Sequence, residues 1–241
     1  MSTTIIPNVQ RTQVPIAALR ANDWFRNYVP ESEKKIRNLT IKEDETLKQL
    51  KETFRKFKPP WPSEDWHGGY ASVVPLIRNI KYSPKDITNF SLSLTEFQDE
   101  EVFSTKAGFF LIALINESKE NNFTIITEHL KHRIDRLGYH NTKNIIVQGD
   151  AGDWVGARMT RGTIIVKGNT GGVAGYRMEA GTITIKGNTG NLLGDEMNGG
   201  TIFLEGEYVS ISNYVKGGNI YHKGKPIAKD GRVLVKDEWE Y

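Results

Sequence analysis

Gly149, Gly168, Gly187 and Gly206 stand 19 residues apart, and the columns around them keep the same step. It links Gly152, Gly171 and Gly190, then Gly156, Gly175 and Gly194, then Gly162, Gly181 and Gly200. Met159, Met178 and Met197 follow it too. Ile145, Ile164, Ile183 and Ile202 form one aliphatic column, and Val147, Val166, Ile185 and Leu204 form another. A fixed period near 20 residues is the signature of a solenoid, because each repeat is too small to bury its apolar face alone and must cover it with its neighbour.

Each unit is too short for a helix pair. Its opening, GTIIVKG or GTITIKG, alternates apolar and polar residues and is rich in β-branched types, so it reads as a strand. Gly-Asn-Thr-Gly turns the chain, VAG or LLG returns it, and methionine closes the coil. Stacked units of this kind give a parallel β-helix of about four coils, rising about 4.8 Å per coil. Asp150, Asn169, Asn188 and Glu207 are expected to stack at one turn. The three methionines are expected inside, where a flexible thioether fills irregular gaps. Gly152, Gly171 and Gly190 are expected at equivalent backbone positions, several with positive φ. A phosphate-binding glycine loop needs a helix N-terminus after it. Each cluster here is followed by another strand pattern, so the glycines read as architecture. A hexapeptide-repeat helix fits poorly, since 19 is not a multiple of six and Thr170 and Tyr176 fall where aliphatic residues are required.

Upstream of the repeat the chain is organised differently. Residues 1–30 read as an arm carrying Trp24 and Phe25. EDETLKQLKETFRKF, from Glu43 to Phe57, places Leu47, Leu50, Phe54 and Phe57 at helical spacing, with acidic residues first and basic residues last. KPPWPSEDWHGG then breaks the pattern. FFLIALI and FTIIT read as two strands joined by the polar turn ESKENN, and EHLKHRIDRLG reads as a helix ending at Gly138 that covers the first coil. Val209, Asn213 and Lys216 replace the glycines and methionine of the last coil, as terminal repeats do, and RVLVKDEWEY reads as a closing strand. The division is therefore 1–90 (arm, helix and Trp/Pro-rich loop), 91–137 (an α/β segment) and 138–241 (the β-helix with its cap). The fold class is mainly β with an α/β N-terminal region.

Composition removes several chemistries. The 241 residues include no cysteine, which excludes disulfides, thiolate metal sites and cysteine nucleophiles. A charge of +3 from 32 basic and 29 acidic residues gives no reason to expect a nucleic-acid partner. No apolar run reaches the ~18 residues of a membrane span, and MSTTIIPNVQRTQVPIAALR lacks the pattern of a signal peptide. A cytoplasmic location is expected.

Three groups of residues could carry more than structure. His129 and His132, in a run with Glu128 and His140, are three apart, so on a helix they share a face and could hold one metal ion. The competing reading is a solvated amphipathic face over buried Leu130, Ile134 and Leu137. Trp61, Trp66, His67 and Tyr70 lie in a proline- and glycine-rich loop; with Trp24 they either pack inward or form an interface. Arg158 and Arg177 stack beside the methionines with Glu196 in the same column. They could take an anion, or Glu196 could pair with Arg177 in a surface ladder. No nucleophile-and-base signature is present, so no catalytic residue and no cofactor site is assigned.

The pattern GDAGDWVGARMTRGTIIVKGNTGGVAGYRMEAGTITIKGNTGNLLGDEMNGGTI, within residues 138–225, resembles the GXGXG repeat family. That family includes the C-terminal domain of the glutamate synthase large subunit and one of the subunits of formylmethanofuran dehydrogenase. The resemblance implies a right-handed parallel β-helix without catalytic residues of its own, a scaffold inside an oxidoreductase complex whose other chains carry the flavin, iron–sulfur or molybdenum/tungsten chemistry. The expected partners are then other protein subunits. Two alternatives stay open: a stand-alone enzyme with its site between the β-helix flank and the N-terminal region, and a homo-oligomeric ligand-binding or structural protein.

Overall fold

In the computed structural model, residues 43–59 and 66–235 are described. Among the described residues four helices come first: α1 (Glu45–Lys56), α2 (Trp66–Ile77), α3 (Pro84–Ser93) and α4 (Phe103–Glu117), with a 3₁₀ turn at Leu94–Phe97. Eight strands follow: β1 (Asn122–Ile126), β2 (Asn144–Gln148), β3 (Thr163–Val166), β4 (Thr182–Ile185), β5 (Thr201–Leu204), β6 (Asn219–His222), β7 (Lys225–Lys229) and β8 (Arg232–Val233). They form one sheet in chain order. β1 to β6 pair in parallel, and β6–β7 and β7–β8 pair antiparallel. This is a parallel β-solenoid of about five coils, closed at its far end by a hairpin.

Register follows the repeat. Ile145, Ile164, Ile183, Ile202 and Ile220 align across neighbouring strands and are at most 1% exposed. Val147, Val166, Ile185 and Leu204 form the second inward column. Strand period 2 sends the residues between them outward.

The solenoid begins earlier than the repeat suggests. β1 pairs with β2 in register, Phe123 beside Ile145, so the first coil opens at Asn122. EHLKHRIDRLG is not a helix but the turn of that coil. Its backbone is committed to the next coil: Gly152 N–H donates to Ile134 O and Gly156 N–H to Leu137 O, both at 2.8 Å. Arg136 N–H donates back to Asp153 O at 2.7 Å. A helix would have used these groups internally. Phe123 to Arg136 takes 13 residues, whereas Ile145 to Trp154 and Ile164 to Val173 each take 9, so an insertion hides this coil from the 19-residue period.

FFLIALI is likewise not a strand. It lies in α4, where Phe109, Phe110, Leu111, Ile112, Leu114 and Ile115 are all fully buried. A helix apolar on every side is one buried on every side. Phe110 packs with Phe54 of α1 and Phe90 of α3 at ring distances of 5.2 and 5.1 Å. The opposite side of α4 meets the first coil. Asp135 N–H donates to Ser104 O at 3.3 Å, Arg136 Nη1 to Thr105 Oγ1 at 3.0 Å, and Asn116 Nδ2 to Tyr139 O at 3.3 Å. The Arg136 guanidinium also lies over the rings of Phe109 and Trp154.

α1 forms where the acidic-first pattern placed it. Asp44 caps Leu47 N–H at 2.9 Å, and Leu47, Leu50 and Phe54 are buried. α3 opens with Pro84 and a Ser83–Asp86 capping box. It lies along β1 and seals the edge that, among the described residues, no strand covers. Thr88 Oγ1 donates to Thr124 O at 2.8 Å, and Ile126 N–H donates to Ser91 Oγ at 3.0 Å. The helical layer, rather than EHLKHRIDRLG, thus closes this end. Ser91→Ala should cost about 1 kcal/mol, since it strips a part-buried amide of its partner, and should speed hydrogen exchange at Ile126. An Ile126 amide still exchanging at the parent rate would show that α3 does not seal this edge.

At the far end, β8 takes only the first two residues of RVLV, and Leu234 N–H returns to Ile227 O at 2.8 Å. The described residues fall in one compact unit; Trp24 lies outside the described residues. Trp61 also lies outside the described residues. Trp66 opens α2 within WHGGYASVVPLI, so the loop read at KPPWPSEDWHGG turns helical at its end, and the Trp66 side chain is outside the described set.

Candidate functional site

The repeat columns resolve into distinct physical roles. Gly156, Gly175 and Gly194 have φ of 67°, 75° and 72°, and each sits against the inward isoleucine two strands on, Ile183, Ile202 and Ile220. A Cβ at Gly175 or Gly194 would come within 2.5 Å of Ile202 or Ile220 Cδ1. Gly138, at φ 82°, is the same position one coil earlier, not a helix C-cap. Gly152, Gly171 and Gly190 do stack, each N–H bonding to the previous coil, but none has positive φ. They are glycine because the coil beneath is too close. Cβ atoms at Gly152 and Gly171 would overlap the Asp135 and Asp153 carboxylates. Those carboxylates accept from Asp153 N–H at 3.0 Å and Gly172 N–H at 2.8 Å.

Methionine and glycine are coupled. A Cβ at Gly181, Gly200 or Gly218 would meet Met159, Met178 or Met197 Cε at 2.6, 2.6 and 2.7 Å. Each fully buried methionine therefore ends on the glycine that opens a later strand. Asp150, Asn169, Asn188 and Glu207 form a ladder, in which Asn169, Asn188 and Glu207 N–H each donate to the side-chain oxygen one coil back at 2.8 Å. Gly149, Gly168, Gly187 and Gly206 precede these residues; Gly149 alone of the four has positive φ, 116°.

The arginine column lies on the flank. Arg177 Nε and Nη2 grip Glu196 at 3.2 and 3.0 Å, and Lys216 Nζ reaches the same carboxylate at 3.0 Å. These hydrogen bonds hold the Glu196 carboxyl down at about 2. The stabilisation from this triad should be whole above pH 4.5, the ordinary value for the group, and should drain away as pH falls toward 2. Glu196→Gln should flatten that part of the pH–stability curve, measured by denaturant unfolding. An unchanged slope between pH 4.5 and 2 would refute the triad's role.

Sequence reasoning missed the backbone here. His140, Arg158, Arg177 and Glu196 stand at φ of 50–53°, and Arg136, Trp154, Val173 and Leu192 one column away at 54–60°. A β-branched residue such as Val173 avoids this region in isolation. It is held there by its N–H bond to Asn191 O at 2.8 Å, a tertiary cause without a residue-type signal.

His129 and His132 do not share a helix face, because the helix is absent. His132 is exposed, whereas His129 is half-buried and its pKa is lowered, burial being the main cause. Among the described residues no three His, Cys, Asp or Glu side chains converge to hold a metal ion. A cleft of about 490 Å³ lies between the C-terminal ends of α2 and α4, bounded by Ile77, Ile80, Tyr82 and Glu117. Tyr82 donates to Leu114 O and Tyr70 to Glu117 Oε1, both at 3.0 Å. Burial raises both phenols to about 12, so at neutral pH they donate hydrogen bonds. Among the described residues no helix is long and apolar enough to cross a membrane.

No family model, curated protein or solved structure matches the chain. The likeness to the GXGXG repeat rests on the quoted residues alone.

Proposed function

We propose that this chain is a non-catalytic scaffold, a β-solenoid subunit that holds other protein chains within a multi-subunit enzyme complex of the glutamate synthase or formylmethanofuran dehydrogenase kind, in the cytoplasm. One observation carries the reading: along the coils, Arg177, Glu196 and the turn carboxylates are spent on neighbouring coils. Arg177 and Lys216 hold Glu196, Asp150 holds Asn169, and Asp135 and Asp153 hold the coil above each. Side chains fixed in this way stiffen a flank and leave a rigid surface for docking. The chain's lack of cysteine suits a reducing compartment. Purification from the native source under mild conditions, followed by mass spectrometry, tests the proposal. Partner chains in fixed stoichiometry are expected, with redox activity travelling with them. A lone chain that turns over substrate by itself would contradict it.

A further inference from the structure

Most of the coils' apolar residues point inward, but the far end of the solenoid breaks this rule. Val209 is 70% exposed, Tyr214 71%, Leu234 54% and Leu192 41%. Among the described residues only Leu76, on α2, joins them as an exposed large apolar side chain. Leu192, Val209 and Tyr214 lie on the coils that open with β4 and β5, and Leu234 lies on the segment that leaves the closing hairpin. Leu192 N–H bonds to Ser210 Oγ at 3.1 Å and Val209 N–H to Gly190 O at 3.4 Å. Tyr214 follows on the last coil, and the Asp230–Gly231 turn of the hairpin folds onto it, Gly231 N–H donating to Gly218 O at 3.3 Å. Leu234 lies just beyond β8.

The hairpin at the same end carries an excess of positive charge, Lys225, Lys229 and Arg232 against the single carboxylate of Asp230. Lys216 and Lys223 are paired, with Glu196 and Glu207 respectively. Lys225, Lys229 and Arg232 are exposed, and among the described residues none of them has an ion pair. Lys229 and Arg232 stand directly opposite each other across β7–β8. Like charges so placed weaken an antiparallel pair. Charge on a short edge strand is an ordinary guard against edge-to-edge pairing. A guard does not account for three bulky apolar side chains left bare beside it.

We propose that this end, the β7–β8 hairpin with the last coil beneath it, is the docking surface for a partner protein that presents carboxylates around an aromatic or aliphatic anchor. The proposal rests on the scaffold reading and gives it a place and a partner chemistry. Lys225, Lys229 and Arg232 set orientation and speed of encounter, while Val209, Tyr214 and Leu234 supply the apolar contact that holds. A second copy meeting this end with its own would bring the same cations against them, so an acidic partner fits better.

The test uses the full chain and a fluorescent random copolymer of glutamate and tyrosine as probe, with polyglutamate for comparison. The copolymer should bind more tightly than polyglutamate, and binding should weaken with salt. Lys229→Glu with Arg232→Glu should weaken it at least ~10-fold, whereas Tyr214→Ser should bring the copolymer down to the level of polyglutamate. Lys48→Glu with Lys56→Glu, on exposed positions of α1, should change neither. Matching circular dichroism melts establish that the variants fold. Equal binding by the hairpin variant and the parent, or equal loss in the α1 variant, overturns the proposal. So does a sedimenting dimer that the hairpin variant dissociates, which would assign this end to a second copy. In the native complex, partner chains that stay with the hairpin variant overturn the surface and leave the scaffold reading standing. A parent preparation without partner chains counts against the scaffold reading, and the copolymer result then decides the surface alone.

Discussion

Met178→Ala is expected to cost about 2–5 kcal/mol of unfolding free energy, the range for removing a buried methionine. Met178 is fully buried, and its Cε lies over Gly200. Truncation empties the space between two coils, and the coils cannot close over it. Their separation is fixed by backbone bonds such as Asn198 N–H to Met178 O at 2.8 Å and Thr201 N–H to Gly181 O at 3.0 Å. Refilling the void from the other side fails as well, because Gly200 stands at φ 85°, where an added Cβ is strained. The double variant Met178→Ala with Gly200→Ala should therefore be less stable than Met178→Ala. Denaturant unfolding measures both. A loss below about 0.5 kcal/mol for Met178→Ala, well under that range, would mean that the methionine column does not fill the coil.

Gly108→Ala should be destabilising by about 3 kcal/mol or more, although alanine is the better helix former by about 1 kcal/mol. The Cβ would overlap the backbone carbonyl of Asp135, where α4 meets the first coil. A backbone atom cannot step aside as a side-chain tip can, so α4 or the coil must shift and strain the Arg136–Thr105 and Asn116–Tyr139 bonds. Gly224 gives the contrast: its φ is 78°, but a Cβ there meets nothing within 4 Å. Gly224→Ala should lose only the conformational term, about 1 kcal/mol. Similar losses at both sites would show that the α4 contact is not tight.

The repeat was legible because in a solenoid the period is the structure. Residues 19 apart are spatial neighbours, so Ile164, Ile183 and Ile202 declare their contact by spacing alone. The same logic explains the first failure. Coil one holds extra residues between Ile126 and Arg136, so Gly138 falls out of step and EHLKHRIDRLG passes for an amphipathic helix. Leu130, Ile134 and Leu137 suit either reading, and only the bonds to β2's coil decide. FFLIALI fails differently, since a fully buried apolar run has the same pattern as strand or helix. Its neighbours Phe54 and Phe90 are distant in sequence and supply the decision. The Arg177–Glu196 pairing could be read from the column, because opposite charges one period apart must meet. The near-50° backbone beneath it could not.

The placement of the first coil is tested most directly by distances along one outward column. Asn122, Asn144, Thr163, Thr182, Thr201 and Asn219 stand in register on successive strands. The chain contains no cysteine, so pairs of introduced cysteines can carry spin labels without background. Stacking at about 4.8 Å per strand places Asn144–Thr201 at about 14 Å, Asn122–Thr201 at about 19 Å and Asn122–Asn219 at about 24 Å. Pulsed electron resonance on the three doubly labelled proteins should return that even progression, with Asn122 one full step beyond Asn144. A progression that holds from Asn144 onward but breaks at Asn122 would remove the first coil from the solenoid. Distances that do not grow with strand number would contradict the stack altogether.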